Sequence, residues 1–139
     1  MDINNNKNEK EFAKKGEMCV DDLTVTSDLY PFRVSMKNKE QWELILNIEH
    51  RGTKPMKLSL EIDLPRQVTF SKVGLTDKYE KRYDTFKPGD TIRLKEPIYL
   101  SNQSQTGNYS GYVKIAEHFG DYGYEMQTKK REVLFRIVP

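Results

Sequence analysis

The sequence predicts an all-β fold, an antiparallel β-sandwich of seven to eight strands preceded by a disordered tail, and three observations carry that prediction. From Leu23 onward apolar residues recur with a period of two rather than about 3.6. The alternating runs are short and bounded by polar loops that hold Gly and Pro. No helical pattern lies between them to cover the faces of a parallel sheet.

Each element follows from its own alternation. In PFRVSMK, Phe32, Val34 and Met36 alternate with Arg33, Ser35 and Lys37. In WELILNIEH, Trp42, Leu44, Leu46 and Ile48 share one face and Glu43, Asn47 and Glu49 the other, with Ile45 as the exception. KLSLEIDL sets Leu58, Leu60, Ile62 and Leu64 against Ser59, Glu61 and Asp63. The intervening HRGTKPM suits a turn through Gly52 and Pro55, and the two strands it joins can cross between sheets. Pro65 stops the second run, and QVTF adds a short strand with Val68 and Phe70.

Residues 71–87 are irregular, with Tyr79, Tyr83 and Phe86 as apolar anchors. KPGD reads as a turn, because proline presets φ and glycine tolerates positive φ. In TIRLKEPIYL, Ile92, Leu94, Ile98 and Leu100 keep one register, and Glu96-Pro97 marks a bulge or an edge. After the polar loop SNQSQTG, NYSGYVKIAEHF sets Tyr109, Gly111, Val113 and Ile115 against Ser110, Tyr112, Lys114 and Ala116. REVLFRIV ends the fold with Val133, Phe135 and Ile137 inward. About two dozen inward apolar side chains, at roughly 1.5 to 3 kcal/mol each, offset most of the chain entropy without disulfide help.

Domain organisation follows: residues 1–20 form a polar tail, disordered or partly helical, and residues 21–139 one domain. With 23 basic and 21 acidic residues interleaved, no basic stripe is present to neutralise phosphates, so no nucleic-acid partner is expected. Lys129-Lys130-Arg131 reads as a solvated turn or strand edge. A lone Cys19 makes no internal disulfide, and two distant histidines leave no zinc spacing, so no metal or cofactor is expected. No apolar run has the length of about 20 residues that spans a bilayer, and MDINNNKNEKEF lacks a signal-type apolar region. The expected location is cytoplasmic, or extracellular if the chain is excised from a longer one. The sequons at Asn102 and Asn108 keep the second location open.

LILNIEHRGTKPMKLSLEIDLP, FKPGDTIRL and TGNYSGYVKI together resemble immunoglobulin-like sandwiches of cell-adhesion-related and surface-associated modules in bacteria and archaea, over roughly residues 22–139. The resemblance implies a noncatalytic module that stiffens, spaces or binds. It also implies that Tyr109 is a corner tyrosine whose hydroxyl bonds back to the chain. The disulfide of antibody-type domains is missing, and Trp42 stands at the start of its strand.

Catalysis finds little support in the residue pattern. A nucleophile needs an adjacent base and an orienting group, and only His50 and His118 are available, both reading as polar strand ends after a Glu. Binding is the better class, through HFGDYGYE between the last two strands. The candidate binding residues are His118, Phe119, Asp121, Tyr122 and Tyr124, set against a plain hairpin turn made by Gly120, Asp121 and Gly123. The expected partner is a protein, contacted by a monomer or weak homo-oligomer. One alternative is a carbohydrate-binding sandwich with Tyr112 and Tyr122 as stacking platform, and another is edge pairing through REVLFRIV, opposed by Arg131, Glu132 and Arg136.

Overall fold

Two five-stranded sheets share one core in the computed structural model, which describes residues 17–20 and 22–139. In chain order the strands are β1 (Glu17–Val20), β2 (Leu23–Tyr30), β3 (Val34–Ser35), β4 (Gln41–His50), β5 (Met56–Asp63), β6 (Val68–Thr69), β7 (Lys78–Phe86), β8 (Thr91–Leu100), β9 (Gly107–His118) and β10 (Glu125–Val138). One sheet has the order β1-β2-β4-β8-β6 and the other β3-β10-β9-β5-β7. All pairings are antiparallel except β3 with β10. The chain is thus an all-β sandwich, and among the described residues it has ten strands rather than seven or eight. The unexpected strands are β1, which falls in the expected tail, and β7, which falls in the segment read as irregular, while β3 and β6 are what remains of the runs PFRVSMK and QVTF. The tail expected over residues 1–20 lies outside the described residues as far as residue 16, and residues 17–20 form β1 against β2.

The period-two pattern fixes which face goes inward. Trp42, Leu44, Leu46 and Ile48 of β4 face Leu58, Leu60 and Ile62 of β5 and Val133, Phe135 and Ile137 of β10 in one buried cluster. Trp42 meets Phe135 edge-on at 5.2 Å, a favourable aromatic geometry that ties the sheets together. Gly111 on β9 is inward as expected, and the reason is space: a Cβ there would stand 2.8 Å from the Asp63 carbonyl oxygen.

Three local expectations change. PFRVSMK is strand only at Val34–Ser35, and Phe32 is exposed rather than inward with Val34. The irregular 71–87 segment contains β7, a full edge strand. Of the two readings of Glu96-Pro97, the bulge is absent, since β8 keeps continuous register with β4, and the edge is what the pairing gives. The proline is tolerated because β6 pairs with β8 only at Tyr99 and Leu100, leaving no described partner for the other edge at Pro97. Among the described residues no helix is long and apolar enough to cross a membrane.

The chain crosses between sheets at residues 51–55 and 87–90, and both loops lie at the end that carries the β9–β10 hairpin. His50 N–H donates to Asp90 O at 3.0 Å and Gly89 N–H to His50 O at 2.9 Å. Lys57, opposite His118 in register, donates from Nζ to Gly120 O at 2.8 Å.

Candidate functional site

The hairpin between β9 and β10 is built from its turn outward. Gly120 adopts φ of 79°, where a β-carbon is strained. Phe119 N–H then donates to Tyr124 O at 3.2 Å and Tyr124 N–H to Asp121 O at 3.3 Å. The Asp121 carboxylate accepts from Gly123 N–H at 2.8 Å, so this side chain is committed to the turn. Gly123 does not have positive φ, and its need is for room, since a Cβ would stand 3.1 Å from Asp121 Oδ1. Pairing resumes at Glu125 opposite His118, and the register then shifts so that Gln127 faces Glu117.

His118 is not on the surface. By strand parity it belongs to the outer face of its sheet, yet it is only 6% exposed. Its Nε2 lies 2.7 Å from Ser59 Oγ, while Nδ1 is buried with no hydrogen-bond partner. The Tyr122 ring stands over it, centroids 5.0 Å apart. That ring folds back across β5 and β7: Lys57 Nζ is 5.1 Å and the Arg82 guanidinium 4.6 Å from its centroid. Its hydroxyl donates to Asp84 Oδ1 at 2.7 Å. Burial, followed by the bond to Asp84 and that carboxylate's charge, pushes the Tyr122 phenol up to about 12, with Arg82 pulling the other way.

Beside this cluster Lys114 donates to Glu125 at 3.0 Å and lies 3.8 Å from Glu61. The bond to Glu125 raises the Lys114 pKa above the ordinary lysine value, and the same bond, helped by one from Thr128, lowers that of Glu125.

Phe119 and Tyr124 differ from their neighbours. They pair edge-to-face across the hairpin at 6.4 Å and are 69% and 62% exposed. Of the five residues expected to bind, these two face solvent, Asp121 holds the turn, Tyr122 is strapped to the sheet and His118 lies beneath it. The sequence had no signal for Lys57, Ser59, Arg82 and Asp84, which only the β7-β5-β9 register brings under the hairpin.

Ser59 and His118 have the contact distance of a nucleophile and its base, but no carboxylate orients Nδ1 and Ser59 is itself buried. His50, the other histidine, accepts from Gly52 N–H at Nδ1 and so donates from Nε2 to Lys54 O at 2.7 Å. It shapes the 51–55 loop. Among the described residues no three His, Cys, Asp or Glu side chains converge as a metal site. Of the proposed sugar-stacking pair, Tyr112 is 42% exposed with Lys130 Nζ 5.4 Å from its centroid, and Tyr122 carries two cations. A separate groove of about 260 Å³ between β2 and β10 is lined by Ser27–Leu29, Leu44 and Arg131–Leu134 and contains none of the expected binding residues.

No protein-family model matches this chain, and no curated protein matches it in sequence.

Proposed function

We propose that the chain is a noncatalytic protein-interaction module built on an immunoglobulin-like sandwich, with its partner bound at the end that carries the 119–124 hairpin. The observation that carries this reading is the exposed Phe119–Tyr124 pair, held on a turn in which Asp121 is committed to Gly123 and Tyr122 to the sheet. Such rings supply a large, rigid contact area at low entropic cost. The neighbouring loops at 51–55 and 87–90 extend the same surface.

Two features support the immunoglobulin-like topology. Strands β2, β4, β8 and β6 oppose β10, β9, β5 and β7, with β3, which follows β2 in the chain, pairing in parallel with β10 at the edge of the second sheet. Tyr109, at the start of β9, donates from its hydroxyl to Gln105 O at 2.9 Å, as a corner tyrosine does. The noncatalytic reading rests on the burial of Ser59 and the unoriented imidazole of His118.

The test is Phe119→Ala with Tyr124→Ala. The double variant keeps the wild-type melting temperature and loses the partner recovered by crosslinking and mass spectrometry. A melting-temperature collapse assigns the rings to the core instead, and strong glycan-array binding by the wild type favours the carbohydrate reading.

A further inference from the structure

We propose that the cradle beneath Tyr122 is a phenol-binding site, filled in cis by the hairpin's own ring and available to a phenol in trans once that ring withdraws. Four side chains address the ring and its hydroxyl. Asp84 accepts from the hydroxyl at 2.7 Å, Lys57 and Arg82 place cations 5.1 and 4.6 Å from the centroid, and His118 meets it at 5.0 Å and 61°. All four belong to β5, β7 and β9 rather than to the 119–124 loop, so the recognition set stays on the sheet when the loop moves. His118 is further fixed from below by Ser59. Tyr122 owes its occupancy to its tether: a loop anchored at His118 and Glu125 keeps the ring at high effective concentration. The inference concerns the outer face of the sheet and does not depend on the role proposed for Phe119 and Tyr124.

The experiment uses Tyr122→Gly, checked for folding by circular dichroism, with p-cresol, toluene and the peptide Gly-Asp-Tyr-Gly-Tyr as probes. Binding is read from amide shifts of Lys57, Ser59 and His118. The expected result is saturable p-cresol binding about tenfold tighter than that of toluene, as one hydrogen bond to a carboxylate provides. Adding Asp84→Asn removes that preference, and wild type shows no shift at concentrations that saturate the variant. A peptide that binds more tightly than p-cresol identifies a polypeptide tyrosine as the ligand, and the reverse order a small phenol. A folded variant that fails to bind p-cresol, or that binds it no better than toluene, overturns the proposal. Should Tyr122→Gly not fold, Tyr122→Phe and Asp84→Asn are combined in a double-mutant cycle read by exchange of the Tyr124 amide. Coupling near tenfold supports specific recognition of the hydroxyl, and additivity overturns it.

Discussion

The Tyr122 hydroxyl donates to the Asp84 carboxylate at 2.7 Å across 38 positions of sequence, joining the hairpin to an edge strand two strands away from β9. This bond separates two tyrosines that are nearly adjacent in sequence. Tyr122 is turned onto the sheet, and Tyr124 is left in solvent. The loop's presentation of its exposed rings therefore depends on β7.

Removing that hydroxyl is the most direct probe. Tyr122→Phe should cost about 1 to 2 kcal/mol in urea denaturation, as loss of one hydrogen bond to a carboxylate at the sheet surface does. Its pH signature is distinctive. The folded pKa of about 12 exceeds the ordinary 10.0, so the stabilisation is fully present below pH 10 and is lost as pH rises towards 12. The difference between wild type and Tyr122→Phe should shrink over that interval. A constant difference would place the stabilisation elsewhere. Tyr79 and Tyr83, whose values are also raised by burial, contribute equally to both proteins and cancel.

Tyr109 tests the corner at the opposite end. Its hydroxyl donates to Gln105 O at 2.9 Å, and the ring lies against Gly107, where a Cβ would stand 3.1 Å from the Tyr109 hydroxyl oxygen. Tyr109→Phe should lose about 1 kcal/mol, and amide exchange should quicken around residues 105–107 while the hairpin amides stay unchanged. Equal acceleration in both regions would show that the corner does not act locally.

Legibility followed burial contrast. Trp42, Leu44, Leu46 and Ile48 alternate with wet neighbours, so β4 and its inward face were readable from the sequence. β7 was not, because Lys78, Glu80, Lys81 and Arg82 are all exposed on an edge and only Tyr79, Tyr83 and Phe86 reach inward. The hairpin's location and its turn were likewise readable from Gly120 and Asp121. Which of its rings would be free was not, since local pattern carries no information about Asp84, Arg82 or Lys57 on other strands. The burial of His118 is illegible for the same reason: its position at the end of β9 is a local property, and its place under Tyr122 is not.

Gly111→Ala probes close approach between β9 and β5. The new methyl would stand 2.8 Å from the backbone oxygen of Asp63 and 3.0 Å from the Phe135 ring, and a paired strand has little freedom to yield. Overpacking of this kind should cost about 1 to 3 kcal/mol, measured as a lower urea midpoint with an unchanged m-value. A neutral substitution would mean that the strands separate more easily than their register implies.

Glu125 supplies the acid-side counterpart. Its pKa is lowered chiefly by the hydrogen bond from Lys114 and next by that from Thr128, so its contribution is complete above the unfolded carboxylate value. That contribution is lost as pH falls through the lower folded value. Both partners are partly exposed, which limits the pair to at most about 1 kcal/mol. Glu125→Gln should therefore reduce stability by a few tenths of a kcal/mol up to this limit at pH 7, and the deficit should vanish once the pH is taken below the lowered folded value of Glu125. High salt should shrink the pH 7 deficit too, because screening weakens an exposed pair. A deficit that persists unchanged at low pH would assign the role of Glu125 to packing at the β10 bulge rather than to charge.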